Sequence, residues 1–195
     1  MNSQFIIILG VILIVIVILH KVYMSETKWI QSDLDNRWYL IKSNNITDAQ
    51  YKENANALAE INKRVELLID AVKNKYPKLK QLYSPEKLSE AAIDNRYTTF
   101  TVDKSDIHVC LRTRNDQKEL YDINRLMYVI IHELAHMANW DPKTGEPIIG
   151  HGPEFMAIFK DLVKQSISLG IYKWVDYSKS PQEYCGIVIY QNIVN

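Results

Sequence analysis

Between Asp122 and Trp140 the chain reads DINRLMYVIIHELAHMANW, and no other stretch constrains the fold as strongly. Ile123, Leu126, Met127, Ile130, Ile131, Leu134 and Met137 recur at steps of three and four, which predicts a helix with an apolar stripe broad enough to be largely buried. Into that interior the sequence inserts His132, Glu133 and His136, each of which needs a polar partner there. A lone histidine in such a helix is ordinarily a core residue bonded to a carbonyl. Two histidines four apart lie about one turn from each other, so their imidazoles leave one face roughly 5 to 6 Å apart at Cβ. That separation suits two ligands of one tetrahedral zinc, and the glutamate between them is turned toward the side of the metal where a water would sit. A metal ion supplies one partner for all three side chains.

A catalytic zinc site needs a third protein ligand and an open position. After Trp140 the segment DPKTGEPIIG leaves the helix and makes a loop able to swing back, delivering HGPEF. His151 is the expected third ligand, held between Gly150 and Gly152, with Pro153 opening a new helix that carries Phe155, Phe159, Leu162 and Val163 inward until Gly170. Glu154 and Glu146 are the competing ligands; Glu154 also has a structural explanation as a carboxylate at a helix N-terminus. The histidines outside this set, His20 and His108, are assigned to the end of the N-terminal apolar run and to one face of a half-buried strand.

That apolar run is FIIILGVILIVIVIL, Phe5 to Leu19, with no charge and no hydrogen-bonding side chain. It covers about 22 Å as a helix against a hydrocarbon core of roughly 30 Å, so His20 to Met24 are needed to complete a span. The flanks MNSQ and HKVYMSETK offer neither the basic start nor the small residues of a cleaved signal, and a retained single-pass membrane anchor is expected. Lys21 and Lys28 then place the following domain on the cytosolic side of the membrane. Asn45-Ile46-Thr47 would be a glycosylation site only in the opposite topology.

Residues 25–46 read as a polar stalk with scattered aromatics, and 47–195 as one domain. Thr47 to Gln50 has capping-box spacing and opens an amphipathic helix through Leu58, Ile61, Val65, Leu68 and Val72, ending before Pro77. Ser84-Pro85-Glu86 opens a short second helix. YTTFTV (97–102) and DIHVCLR (106–112) read as strands of a hairpin through Asp103-Lys104-Ser105. In the second strand Ile107, Val109 and Leu111 share a face, and its edge is a candidate for pairing with an extended substrate. The two cysteines, Cys110 and Cys185, are too few for a disulfide scaffold; reduced thiols are expected, a single bridge between them being the alternative. Acidic and basic residues balance at 23 each, without the surplus that nucleic-acid binding requires, so nucleic acid is not an expected partner.

VIIHELAHMANW followed by GHGPEF resembles the zincin metallopeptidases of the WLM and SprT-like group, which pair an H-E-x-x-H helix with a later histidine in an H-G-x-x-F sequence. HVCLRTRN, YVIIHELAHMA and YCGIVIY look more narrowly like membrane-anchored WLM-type proteins of large DNA viruses, over about residues 97 to 190. The resemblance implies zinc on His132, His136 and His151, Glu133 as general base, and a protein or peptide substrate. The expected fold is α+β, a zincin-like domain of helices packed on a small antiparallel sheet behind the membrane helix. The expected function is a membrane-anchored zinc endopeptidase; the alternatives are a non-catalytic membrane or virion protein with a structural zinc, and a protease acting on DNA-bound proteins. Tyr172, Tyr177 and Tyr184 follow the ligands in the chain as candidate oxyanion donors.

Overall fold

The computed structural model describes residues 3–25, 27–42, 46–91 and 98–194. In chain order the elements are α1 (Ser3–Ser25), β1 (Lys28–Gln31), β2 (Trp38–Ile41), α2 (Asp48–Val72), α3 (Pro77–Leu82), a 3-10 turn at Pro85–Lys87, β3 (Leu88–Glu90), β4 (Phe100–Val102), β5 (Asp106–Val109), α4 (Ile123–Ala138), α5 (Pro153–Ser168), β6 (Gln182–Tyr184) and β7 (Ile187–Ile189). The class is α+β, as the sequence predicts. Asn45 of the glycosylation triplet and Tyr97 of the first predicted strand lie outside the described residues.

The N-terminal expectation is corrected. The apolar run does form the helix α1, and its side chains at Phe5 and from Ile7 to Leu19 are exposed. Among the described residues, however, no helix is long and apolar enough to cross a membrane. The uninterrupted hydrocarbon stops at Leu19, so it rises about 22 Å against the roughly 30 Å required, and His20 and Lys21 follow at once. The single-pass anchor, the cytosolic placement of the domain and the membrane as a partner are withdrawn together. The segment read as a stalk is also more than a tether. Its strands β1 and β2 pair antiparallel, and Tyr39 and Ile41 enter the core.

α2 begins with the expected capping box, in which Gln50 N donates to the Thr47 hydroxyl and Thr47 N to the Gln50 side chain. Its stripe from Leu58 to Val72 is buried. After it, Pro77 begins the short helix α3 where the sequence reading had placed no element, and the proline at 85 opens only a 3-10 turn.

The predicted all-antiparallel sheet is corrected as well. Its order is β3-β5-β4, with β4 antiparallel to β5 but β3 parallel to it. Among the described residues β5 therefore runs through the middle, paired on both sides, and β3 and β4 are the edges. The three-residue turn between β4 and β5, Asp103 to Ser105, puts Asp103 at φ 47° and Lys104 at φ 53°, both left-handed. The β6–β7 turn is a two-residue hairpin with Cys185 at φ 48° and Gly186 at φ 85°, a left-handed pair whose twist matches its strands. Cys110 and Cys185 are joined by a disulfide, so the expectation of reduced thiols is replaced by its alternative, and the turn of the last hairpin is fastened just beyond the end of β5.

α4 packs against α3, α5, α2 and the sheet. Its side chains from Leu126 to Ile131, with Leu134, Ala135 and Met137, are buried, and Asp122 caps it by accepting from Arg125 N at 2.9 Å. A helix enclosed on this many sides holds its polar residues rigidly, and that fixes where the site lies.

Candidate metal centre

His132 and His136 project from one face of α4, as their spacing requires, and His151 is brought to them by the loop that follows. Asp141 builds the turn: its carboxylate accepts from Lys143 N at 2.7 Å and Thr144 N at 3.1 Å, its carbonyl from Gly145 N at 2.9 Å. Gly145 takes φ +73° there. The chain then returns antiparallel to itself, with Ile148 N donating to Asn139 O at 3.0 Å, and Gly150 at φ +90° turns it toward the helix. The result is a triangle of imidazole nitrogens. His132 Nε2 lies 3.2 Å from His136 Nε2 and 3.0 Å from His151 Nε2, and the last two are 3.1 Å apart. Among the described residues these three form a cluster able to hold a metal ion. Glu154 and Glu146 are exposed and stand outside it.

Glu133, beside His132 on the same helix, is only 7% exposed. Thr101 on β4 donates from Oγ1 to Glu133 Oε2 at 2.7 Å. Burial pushes the carboxyl up to about 7, against the pull of the Thr101 hydrogen bond. Burial acts in the opposite direction on the imidazoles, where it disfavours the charged form. His132 is held down to about 3, first by desolvation and then by His136 and His151; His136 is held to about 4 by desolvation, His151 and Lys104. Both rings are neutral at physiological pH, the form that binds a metal.

Over 207 aligned positions the chain is 39% identical to "Uncharacterized protein R325" of Acanthamoeba polyphaga mimivirus, covering 98% of this chain and 99% of that protein. The chain belongs to the family of that viral protein. Two further relatives match shorter stretches. "Uncharacterized protein 136R" of Invertebrate iridescent virus 6 is 30% identical over 48% of this chain and 49% of its own length. "Uncharacterized protein 042R" of Invertebrate iridescent virus 3 is 38% identical over 38% of this chain and 42% of its own length. No protein-family model matches the sequence, and no solved structure matches it.

Three residues that the sequence reading did not assign to the site organise it. Phe155 is 1% exposed and stands beneath all the imidazoles, its ring centroid 4.9 Å from His132, 4.3 Å from His136 and 4.7 Å from His151. Lys104 donates from Nζ to the carbonyls of His136, Asn139 and Ile148 at 2.6, 2.9 and 3.1 Å, so one ammonium ties the end of α4 to the returning loop. Thr101 is the third. Phe155 was legible as an apolar helix position; nothing local to Lys104 or Thr101 signals a partner that lies 32 residues away.

The remaining candidates are accounted for elsewhere. His108 stacks on Phe100 at 4.9 Å and bonds Ser89 Oγ at 2.8 Å through Nδ1, so it is a strand residue as expected. Tyr172 and Tyr177 pack around Tyr128. The Tyr184 hydroxyl is committed to the Cys110 carbonyl at 2.8 Å and to Thr99. A cleft of about 520 Å³ opens over the histidines, bounded by Phe100 and Thr101 of β4, Lys104 and Ile148 to Gly150.

Proposed function

We propose that this chain is a zinc-dependent peptidase of the zincin type, similar to the WLM and SprT-like group. The observation that carries the reading is the convergence of three imidazole Nε2 atoms within 3.0–3.2 Å of one another beside a buried carboxyl, on the floor of an open cleft. The donor set fits zinc. Zn–N bonds of 2.0–2.1 Å in tetrahedral geometry separate the nitrogens by about 3.3 Å, close to what the triangle offers without rearrangement. His132, His136 and His151 would hold the ion, and when bound it supplies Lewis acidity that lowers the pKa of water toward neutrality and polarises a carbonyl.

The chain's own residues do the proton chemistry. Glu133, poised near 7, accepts a proton from the attacking water and delivers it to the nitrogen of the leaving amine. Thr101 holds that carboxylate in one orientation. Phe155 and Lys104 keep the imidazoles in register, so binding the metal orders nothing further. β4 lies at an edge of the sheet and lines the cleft, where an extended polypeptide would run beside it with a peptide bond over the site.

A structural zinc in a non-catalytic protein is the second reading. Structural sites are closed by four protein ligands and need no base, whereas this cluster has three histidines among the described residues and a buried glutamate beside them. A DNA-bound substrate has no support from a net charge of +0. The test is metal content by mass spectrometry, beside cleavage of casein, for the wild type and Glu133→Gln. One zinc in both, with cleavage lost in the variant, is the expected result. Zinc in both with cleavage in neither favours the structural reading, and no zinc in either overturns the site.

A further inference from the structure

Among the described residues, α1 contributes no side chain to the hydrophobic core or to the metal centre. From Val11 to Leu19 every side chain is 47–64% exposed, so no side of the helix is turned to the domain. Thirteen large apolar side chains, Phe5 and those at 7–9 and 11–19, together present on the order of 1,000 Å² of hydrocarbon. The largest apolar patch on a typical monomer is roughly 300–600 Å², and one partner of a stable complex buries about 800 Å². α1 by itself therefore carries the surface of an interface.

The length and composition of the helix select the occupant. A bilayer core is about 30 Å thick, and the apolar run rises only about 22 Å. A helix lying in the plane of a membrane needs a polar face to turn toward water, and Phe5 to Leu19 has none. What covers α1 is then a protein surface of similar length, free of charged and hydrogen-bonding groups, and α1 of a second copy is such a surface. Ile7, Val11, Ile14 and Ile18 recur at four, three and four and make a heptad seam that is β-branched throughout. Ile8, Ile12, Val15 and Leu19 make a second seam beside it. β-branched residues at both kinds of seam position favour three or four strands over two, and adjacent seams let each helix pack on two neighbours. Neither seam sets like charges against each other when identical helices meet.

We infer that α1 is a self-association helix, through which copies of this chain assemble into a bundle of three or four strands. The inference does not depend on the peptidase reading.

The test is the mass of the full chain in detergent-free buffer, by sedimentation equilibrium, for the wild type and two variants. The wild type is expected at three or four times the mass of one chain. Val11→Glu with Ile14→Glu places two charges in the first seam and brings the mass down three- to fourfold, to that of a single chain. Leu13→Glu, on the side of the helix away from both seams, leaves the mass unchanged. Near-UV circular dichroism stays the same in both variants, since these side chains lie outside the core. A monomeric wild type overturns the inference. So does a mass that neither variant lowers, or that Leu13→Glu lowers as much as the seam variant, which is unspecific clustering. Flotation with vesicles of phosphatidylcholine and phosphatidylserine tests the competing occupant. Oligomer that stays in the dense fraction supports the bundle; chain that leaves the oligomer and rises with the vesicles overturns it in favour of a lipid surface.

Discussion

Replacing Thr101 with valine keeps the β-branched shape on β4 and deletes the hydroxyl that donates to Glu133 Oε2 at 2.7 Å. Two opposed effects set the acidity of Glu133: burial raises it to about 7, and the Thr101 hydrogen bond, which favours the ionised form, lowers it. A hydrogen bond to a charged acceptor contributes about 1.5–3 kcal/mol, which at 1.36 kcal/mol per pH unit moves the titration up by roughly 1–2 pH units when it is lost. At pH 7 the ionised share of Glu133 then falls roughly 5- to 50-fold. The direct assay is a carboxyl-carbon NMR titration of the metal-free full chain, with Glu133→Gln identifying the signal. On the proposed peptidase reading, the acid limb of the cleavage profile of zinc-loaded protein should move the same way. If Glu133 titrates near its ordinary 4.5 in the wild type, or does not respond to Thr101→Val, the account of how the fold tunes this carboxyl is wrong.

Metal-free protein loses stability on acidification, because His132 and His136 are held down to about 3 and about 4 against 6.5 in the unfolded chain. Their contribution is complete above 6.5 and disappears as the pH falls toward and through those values. Glu133 opposes them between 4.5 and about 7, so urea midpoints measured across this range should still rise with pH, two imidazoles outweighing one carboxyl. Removing the disulfide by Cys110→Ala with Cys185→Ala opens a loop with a sequence separation of 75. Chain entropy puts the loss at about 4.5 kcal/mol, which equilibrium urea unfolding would register. Lys104→Met strips a shared donor from the carbonyls of His136, Asn139 and Ile148. Zinc affinity, measured by competition with a chromophoric chelator, should fall about 10- to 100-fold as the loop carrying His151 loosens, the range seen when groups supporting metal ligands are lost. Unchanged affinity would show that Phe155 alone suffices to hold the triangle.

What the sequence determined is what local periodicity and spacing can encode. The helical stripe from Ile123 to Met137, the capping box at Thr47 and the proline that opens α5 depend on neighbours within a turn or two, and each formed as read. His132 and His136 share a face because one turn separates them; that holds for any helix. Short-range patterning carried less where the deciding quantity was a length or a pairing. The apolar run at Phe5 to Leu19 reads as a helix, and it is one, but reaching across a bilayer needs more rise than fifteen residues supply. The parallel pairing of β3 with β5, which put β5 in the middle of the sheet, left no signal in either segment. Nor did the bond between Cys110 and Cys185, since a separation of 75 residues says nothing of their distance in space.

Only the tertiary structure brought His151, rather than Glu146 or Glu154, beside His132 and His136, because a loop's return path depends on the turn at Asp141, on Gly150 and on Lys104 holding the Ile148 carbonyl. It alone revealed Thr101 as the partner of Glu133 and Phe155 as the floor under the imidazoles. The sequence names the groups able to do chemistry; burial, which sets their protonation, and convergence, which makes them one site, come from contacts between segments far apart in the chain.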